Sequence, residues 1–375
     1  MKKFLFGLFL FASINAYPQS VDVLDKKNHR SISVSYLKGD VITNTKFLRG
    51  DNLIGMPIDK FQSVAIKMLW QNPGYYDWQK VYRAPYFGAG ISLSDLYDRL
   101  ELGYPISVFG VLGIPVKRWN KVEIFSEFQF GLALNWKCYH PLYNPKNMNI
   151  GADFSFHTNC GIGVSYSLSK KLDIGAGVNF VHFSNGAIER PNKGINIYGS
   201  SVELKYYLDD RIRRESIKLP GRLERSNDLF FMVCGSRFQL IETELSVDYY
   251  GLGGFSLIYF TQLSNAFRLG YGADLDCWKL INPLPDDDLS RRELKKSLGL
   301  ILHPEFIFDK LTLVAGLGIY ASHPQFGYFK QIYQRLGVRY EFYKSVSLGL
   351  NIRGRDFYRA EYMELNLGYR IRWMK

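Results

Sequence analysis

Apolar and polar residues alternate along most of the chain with a period of two, and the last segment shows the pattern most clearly. Every second position from Met363 to Trp373 is apolar or aromatic, whereas the positions between them include Glu364, Arg370 and Arg372. Because successive side chains of a β-strand point to opposite sides, such a segment has one apolar and one polar face. Strands with an apolar outer face and a polar inner face are typical of transmembrane β-barrels.

The same alternation predicts roughly eight strands before residue 210 and roughly eight after residue 228, an even total as such barrels require. We therefore predict an all-β fold: an antiparallel transmembrane β-barrel of the outer membrane with about 16 strands in two eight-strand units. A β-sandwich is less consistent with the pattern, since its strands are shorter. The sequence leaves open whether the units close as tandem barrels or as one large barrel. If the first unit closes alone, residues 204–208 should pair with residues 31–37.

The lengths of the connections predict how the strands are oriented in the membrane. Outer-membrane barrels have short periplasmic turns and long outer loops. Short polar turns occur at residues 169–170, 309–310 and 343–344, and long segments rich in Gly, Pro or Asn occur at residues 38–60, 136–153, 185–195 and 280–296. Counted from a periplasmic N-terminus, all the long segments lie outside the cell.

One long connection, residues 209–228, departs from this rule because it falls on the periplasmic side. It is rich in Arg and Lys and contains Pro220-Gly221, which is typical of a solvated linker. The N-terminus has two lysines followed by an apolar run too short to span a bilayer, as in a secretory signal peptide. We therefore predict a signal peptide at residues 1–16, or to residue 20, barrel units at 21–208 and 229–375, and a periplasmic linker at 209–228.

Composition narrows the class of protein further. The net charge of +12 suits the phosphates of lipopolysaccharide, and an exported chain rarely meets nucleic acid, so we predict no nucleic-acid partner. The share of aromatic residues, 16%, fits a barrel with aromatic girdles at its rims. The four cysteines match no zinc spacing, and neither a metal site nor a cofactor is predicted. Parity places Cys160 and Cys277 on apolar strand faces.

The candidate catalytic residues lie on one predicted strand, residues 172–184. Its apolar face runs from Leu172 through Phe180 and then continues with His182 and Ser184. A histidine and a serine on a lipid-facing surface do not stabilise a barrel, but they suit an enzyme whose substrate is a lipid. Side chains two residues apart on a strand point the same way and can meet.

The stretch from His182 to Asn196 reads HFSNGAIERPNKGIN. It resembles the H-x-S-N…P-N-x-G-I-E signature of the outer-membrane lipid A 3-O-deacylases, the PagL family, and the resemblance covers roughly residues 30–208. Members of that family are eight-stranded barrels that remove an ester-linked 3-hydroxyacyl chain from lipid A with a Ser/His/acid triad on the outer barrel wall.

Carried over by position, the resemblance implies Ser184 as the nucleophile and His182 as its base. Asn185 and Asn192, with loop amides up to Gly194, become candidates for stabilising the oxyanion. The family's acid corresponds to Asn196, which by parity shares the outer face. Asparagine can orient an imidazole but cannot offset the charge of an imidazolium.

Of the two glutamates near the motif, only Glu189 is a possible substitute for the missing acid. Glu203 lies on the opposite face by parity, whereas Glu189 in the outer loop has the length to reach back. A second departure from the family pattern is Gly186-Ala187, where the family commonly has Ala-Gly. In the second half, Gly354 and Asp356 align with His182 and Ser184. The second half therefore keeps the strand pattern but lacks the candidate catalytic residues.

The sequence thus predicts a cofactor-free outer-membrane esterase that acts on lipid A, with lipopolysaccharide and membrane lipid as its partners. The alternative is a catalytically inactive barrel that binds lipopolysaccharide or forms a small channel. Whether the protein forms a homodimer is left open.

Overall fold

The computed structural model describes residues 28–374, apart from 73, 212–225, 244–245, 282–292, 323–330 and 356–358. The predicted signal peptide and most of the predicted linker therefore lie outside the described residues. None of the helices in the described part of the chain is long and apolar enough to cross a membrane.

The chain forms two closed antiparallel barrels, each with eight strands. The first consists of β1 His29–Val41, β2 Lys60–Gln71, β3 Tyr86–Asp95, β4 Gly103–Trp119, β5 Val122–Trp136, β6 Phe154–Ser167, β7 Leu172–Ser184 and β8 Ile195–Tyr207. The second consists of β9 Ser226–Thr243, β10 Ser246–Ser264, β11 Phe267–Ile281, β12 Lys295–Phe308, β13 Leu311–Ser322, β14 Ile332–Tyr343, β15 Val346–Arg355 and β16 Arg359–Met374. A short helix, α1 Asp77–Val81, lies between β2 and β3.

Each barrel closes on itself through pairing of its first and last strands. Val34 of β1 lies opposite Leu204 of β8, within a register in which residues 31–37 pair with residues 201–207. In the second barrel β16 pairs with β9, with Leu367 opposite Val233. The structure is therefore two tandem barrels of eight strands, the first of the two arrangements that the sequence leaves open.

The predicted faces are confirmed along the strands. On β7 the side chains of Ile174, Val178 and Phe180 are exposed on the outer wall, whereas Asp173 and Val181 are buried inside. In a bilayer the outer wall contacts lipid, so the apolar exposure there is expected.

Two details of the connections differ from the sequence prediction. The connection between β2 and β3, on the side predicted to be periplasmic, is long and contains α1, and its Trp78 and Tyr82 pack against Phe308 of the second barrel. Residues 226–228, predicted as linker, belong to β9. Asp228 lies inside the barrel, where it forms ion pairs with Arg268 and Arg370. Its charge therefore belongs to the polar interior of the barrel and does not mark a solvent-exposed linker.

Charged networks fill the interiors of both barrels. In the first, the Lys67 ammonium group pairs with Glu127 and Glu203. In the second, Asp274 accepts hydrogen bonds from Ser256, Tyr333 and Arg335, at 2.6, 2.6 and 3.0 Å. A barrel of eight strands is just wide enough for side chains to fill, and these ion pairs occupy that space.

We expect Asp274→Asn to lower the free energy of unfolding by about 1–3 kcal/mol, because it removes the charge facing two buried guanidinium groups, Arg335 and Arg353. Urea unfolding of the protein in lipid vesicles, followed by tryptophan fluorescence, measures the change. The matched control is Asp40→Asn, which breaks an exposed pair with Lys60 and should cost at most about 1 kcal/mol. Equal losses in the two variants would contradict a stabilising role for the internal network.

Candidate active site

The candidate site lies where β7 and β8 approach the outer rim of the first barrel. His182 on β7 lies directly opposite Asn196 on β8, and Ser184 follows one pleat further along β7. Their neighbours along the strands point inward: Phe183 on β7 and Ile195 on β8 are fully buried in an apolar cluster inside the barrel. This alternation anchors the strand pair and leaves the three polar side chains on the outer wall.

The three side chains form a continuous chain of hydrogen bonds. His182 Nδ1 and Asn196 Oδ1 are 2.6 Å apart, and His182 Nε2 and Ser184 Oγ are 2.9 Å apart. Because an amide oxygen only accepts, Nδ1 donates to Asn196 and carries the ring proton. Nε2 of the neutral ring then accepts the hydrogen bond from the Ser184 hydroxyl. This is the arrangement in which a histidine can remove the proton of a serine nucleophile.

The site is largely shielded, although it lies on the outer wall. The Ser184 side chain is 6% exposed, whereas His182 and Asn196 are half-buried. Shielding from water strengthens electrostatic interactions between these groups and a bound ester.

The loop between β7 and β8 is held by its own side chains. The backbone N–H of Asn185 donates to Asn192 Oδ1 at 3.2 Å, and Asn185 Nδ2 donates to the carbonyl of Glu189 at 2.7 Å. The side-chain amide of Asn185 is thus used within the loop, and its observed contacts fix the shape of the turn that follows Ser184.

A neighbouring outer loop supports this turn through Asn149, a residue that the sequence analysis did not identify. Asn149 is fully buried and donates through Nδ2 to the carbonyl of Gly194 at 2.7 Å, and its own carbonyl accepts the Gly194 N–H at 3.0 Å. Thr45 from a third loop donates to Asn149 Oδ1 at 2.8 Å. No sequence signal marks Asn149, because its partners lie far away along the chain.

Gly194 is the residue at which the loop approaches the site most tightly. Its φ is +66°, a conformation that favours glycine. A Cβ there would lie 2.9 Å from the carbonyl oxygen of Phe183, 3.1 Å from His182 Cε1 and 3.3 Å from Ser184 Cβ. A larger residue would therefore press directly on the two candidate catalytic side chains.

Neither glutamate takes the place of Asn196 as the partner of His182. Glu203 points into the barrel, as predicted, and pairs with Lys67. Glu189 contributes its backbone carbonyl to the loop while its side chain is exposed.

The second barrel shows no equivalent site in its described part. Gly354 lies near the end of β15, opposite Gln334 and Ala360, and brings no side chain to the position of His182. Asp356, the residue aligned with Ser184, lies outside the described residues. Among the described residues, no group of three His, Cys, Asp or Glu side chains is arranged to hold a metal ion.

Two family models match the sequence, one for each barrel. Residues 64–205 match the family described as lipid A 3-O-deacylase (PagL), and residues 226–373 match the acyloxyacyl hydrolase, C-terminal domain. No curated protein sequence matches the chain.

Several solved structures align with most of the chain at low sequence identity. The outer membrane protein Omp33 of Acinetobacter baumannii is 6% identical, with 93% of this chain and 100% of that chain covered and a TM-score of 0.17. The translocator domain of the autotransporter NalP from Neisseria meningitidis is 7% identical, with coverages of 91% and 88% and a TM-score of 0.21. A TodX monoaromatic hydrocarbon channel mutant is 10% identical, with coverages of 93% and 90% and a TM-score of 0.19. TM-scores this low do not show a shared fold. The assignment of two barrels is therefore based on the strand pairing in this structure.

Proposed function

The chain belongs to the lipid A 3-O-deacylase (PagL) family of outer-membrane hydrolases, and we propose that it removes an ester-linked 3-hydroxyacyl chain from lipid A by a serine mechanism centred on Ser184. The observation that carries this proposal is the hydrogen-bonded chain Ser184–His182–Asn196 on the lipid-facing wall. A lipid ester reaches this wall from within the bilayer, without leaving the membrane.

The reaction begins with attack of Ser184 Oγ on the ester carbonyl while His182 Nε2 takes the hydroxyl proton. The bond between the carbonyl carbon and the sugar oxygen then breaks, and the imidazolium returns the proton to the departing sugar oxygen. A water molecule next attacks the acyl-serine, with His182 again accepting a proton. The bond between the acyl carbon and Ser184 Oγ then breaks, and the imidazolium returns its proton to Oγ, which releases the 3-hydroxy fatty acid and restores the Ser184 hydroxyl.

The negative charge that develops on the carbonyl oxygen needs hydrogen-bond donors at the start of the loop. We assign this role to the side-chain N–H groups of Asn192 and to the backbone N–H groups of the loop after Asn185, since the N–H of Asn185 itself donates to Asn192 Oδ1. Asn185, Glu189 and Asn149 act as positioning residues, since their observed contacts hold the loop in shape.

Asn196 orients the histidine but supplies no charge. Its oxygen fixes the proton on Nδ1, so that Nε2 is free to act as the base. The imidazolium that forms during attack lacks the carboxylate that usually stabilises it. We therefore expect a functional but slow enzyme.

The proposed substrate implies where in the membrane the reaction takes place. Lipid A of lipopolysaccharide lies in the outer leaflet, which places it at the level of the loop after Ser184, and we expect arginine and lysine side chains near the rim to bind its phosphates. Export by the N-terminal signal peptide stays a prediction from the sequence, and whether the protein forms a homodimer stays open.

Mass spectrometry of lipid A from cells that express the protein tests the proposal. Loss of one 3-hydroxyacyl chain relative to cells with an empty vector is the expected result. Unchanged lipid A at normal expression in the outer membrane would contradict it.

The asparagine at position 196 favours one competing function, a catalytically inactive barrel that binds lipopolysaccharide. The same experiment separates the two, because an inactive binder leaves lipid A intact. A channel is disfavoured by the ion pairs that fill both barrel interiors, including Lys67 with Glu127 and Arg335 with Asp274.

Gly194→Ala should lower the rate of deacylation about tenfold, since a small displacement of catalytic groups has large effects on rate. The added methyl group would press on His182 and Ser184. The matched control is Gly55→Ala: Gly55 also has a positive φ, +72°, but open space where its Cβ would lie. Rates measured on purified folded protein should fall only for Gly194→Ala; an equal fall in both would indicate a general effect of backbone strain.

A further inference from the structure

The two barrels meet at the outer rim, where the second barrel contacts the loop that follows Ser184. Gln239 of β9 accepts the backbone N–H of Arg190 at 2.6 Å through Oε1, and its carbonyl oxygen accepts Arg190 Nε at 2.8 Å. On β16, which pairs with β9, Met363 lies against Gly186 so closely that a Cβ on this glycine would come within 2.5 Å of the methionine sulfur. Two points of the loop are therefore in contact with the second barrel.

Both contact residues belong to the outer wall of the second barrel but are shielded there. Gln239 shares a face of β9 with Val233, yet Gln239 is 6% exposed and Val233 is 53% exposed. On β16, Met363 is half-buried, whereas Leu365, one pleat further along the same face, is exposed. The wall is thus open at mid-strand and covered at the rim, where the loop of the first barrel touches it.

The second half of the loop is held by the first barrel instead. Gly151 lies against the carbonyl of Pro191 so closely that it has no room for a Cβ, and the Lys193 N–H donates to the carbonyl of Met148 at 3.2 Å. The loop therefore has one support on each barrel. The second barrel supplies the support in the half that directly follows the nucleophile.

That half of the loop contains the backbone N–H groups assigned above to the oxyanion. The Ile188 N–H donates to the carbonyl of Asn185 at 3.3 Å, which closes a tight turn. Gly186 and Ala187 lie inside this turn, with φ angles of +66° and +65°. An oxyanion donor stabilises the transition state only if it lies within about 3 Å of the developing charge, so the position of this turn affects the rate.

We propose that Gln239 and Met363 of the second barrel are positioning residues of the esterase, which hold the turn after Ser184 where its N–H groups meet the oxyanion. The inference rests on the proposed esterase function and gives the second barrel a part in it. A displacement of about 1 Å in a catalytic group can cost about 100-fold in rate. This role needs no histidine or serine in the second barrel, and it explains why a barrel without catalytic residues accompanies one that has them.

The same contact accounts for the order Gly186-Ala187, in which the chain departs from the family pattern. Both residues have a positive φ, so a Cβ strains the backbone similarly at either position. At position 186 the space for a Cβ is taken by Met363. Glycine at this position leaves room for the second barrel.

Gln239→Leu tests the rim contact, because leucine is similar in size but its side chain accepts no hydrogen bond. We expect kcat on lipid A to fall about 10- to 100-fold while KM stays within about twofold, since oxyanion donors act in the transition state and not in substrate binding. Gln239→Glu keeps an acceptor for the Arg190 N–H and should retain most of the wild-type kcat. Both constants are measured on purified full-length protein with lipid A in detergent micelles.

Tyr82→Phe is the matched control at the other end of the barrels. The Tyr82 hydroxyl donates to the carbonyl of Ala266 at 3.0 Å across the two barrels. Phenylalanine removes this one hydrogen bond and keeps the ring that stacks on Phe308. Its kcat should stay at the wild-type level, because the lost contact is remote from Ser184.

Variants of the second contact test Met363 whether or not Gln239→Leu folds. Met363→Ala alone should lower kcat, since it removes the support of the turn. Gly186→Ala should also lower kcat, about tenfold, because its methyl group displaces the turn from Met363. In the Gly186→Ala background, however, Met363→Ala frees the space for that methyl group and should raise kcat. General destabilisation does not produce this change of sign.

The outcomes separate the inference from the proposed function. A wild-type protein that does not deacylate lipid A overturns the esterase function and the positioning role with it. An active wild type whose Gln239→Leu variant keeps its kcat overturns the positioning role alone. Equal losses in Gln239→Leu and Tyr82→Phe, or in Gln239→Leu and Gln239→Glu, also overturn it, because the loss then does not come from the missing acceptor at the rim. Effects of Met363→Ala with the same sign in both backgrounds overturn the assignment of Met363.

Discussion

Ser184→Ala should leave lipid A fully acylated in cells that express it, with the deacylation rate lowered on the order of 10⁴-fold or more. The Ser184 hydroxyl is the only group of the chain Ser184–His182–Asn196 able to form the acyl intermediate. Without it, His182 has no nucleophile to activate. Mass spectrometry of lipid A compares the variant with wild type and with His182→Ala.

Catalytic groups that act as a unit show losses that do not add. The double variant Ser184→Ala/His182→Ala should therefore be no slower than either single variant. Ser200→Ala is a control, since Ser200 is also a serine on the outer wall but lies on β8, away from His182. Continued release of the 3-hydroxyacyl chain by correctly folded Ser184→Ala would exclude Ser184 as the nucleophile.

Asn196→Asp should raise the rate of deacylation, by about 10- to 100-fold. Removal of the acid from a serine protease triad costs about 10⁴-fold, in part because the wrong tautomer of the histidine is then favoured. Here Asn196 already holds the correct tautomer through the 2.6 Å contact with Nδ1, so only the missing charge remains to be restored. Aspartate has the length of asparagine, which makes it a sharper test than the longer glutamate of the family.

The rates are measured on purified wild type and variants with lipid A in detergent micelles. Asn196→Leu is the control: it has a similar size but accepts no hydrogen bond, and its rate should fall below wild type. An Asn196→Asp rate equal to or below wild type would show that charge at this position does not limit the reaction.

The alternation of side chains was sufficient to predict which residues share a face. His182, Ser184 and Asn196 lie together on the outer wall, and Glu203 lies inside, because a strand fixes these directions locally. The even strand count and the long outer loops follow from the same local signals. The predicted end of the linker was wrong by three residues, since β9 begins at Ser226. Asp228 is buried inside the barrel, but in the sequence a charged residue there is indistinguishable from one exposed to solvent.

The periodicity of the sequence could not predict the contacts that hold the site in shape. Asn149 supports Gly194 from a loop more than forty residues away, and Tyr82 and Arg190 join the barrels through partners far along the chain. Such contacts depend on which loops meet when the barrels close, and no local pattern records that.

The sequence by itself determined the barrel class, the lipid-facing position of His182 and Ser184 and the absence of a carboxylate at position 196. Only the tertiary structure decided that β1 pairs with β8, so that two small barrels form instead of one large one. It also decided that the second barrel lies beside the site. The physical reason is that alternation is a property of neighbouring residues, whereas closure and docking are set by pairing and packing between segments distant in the chain.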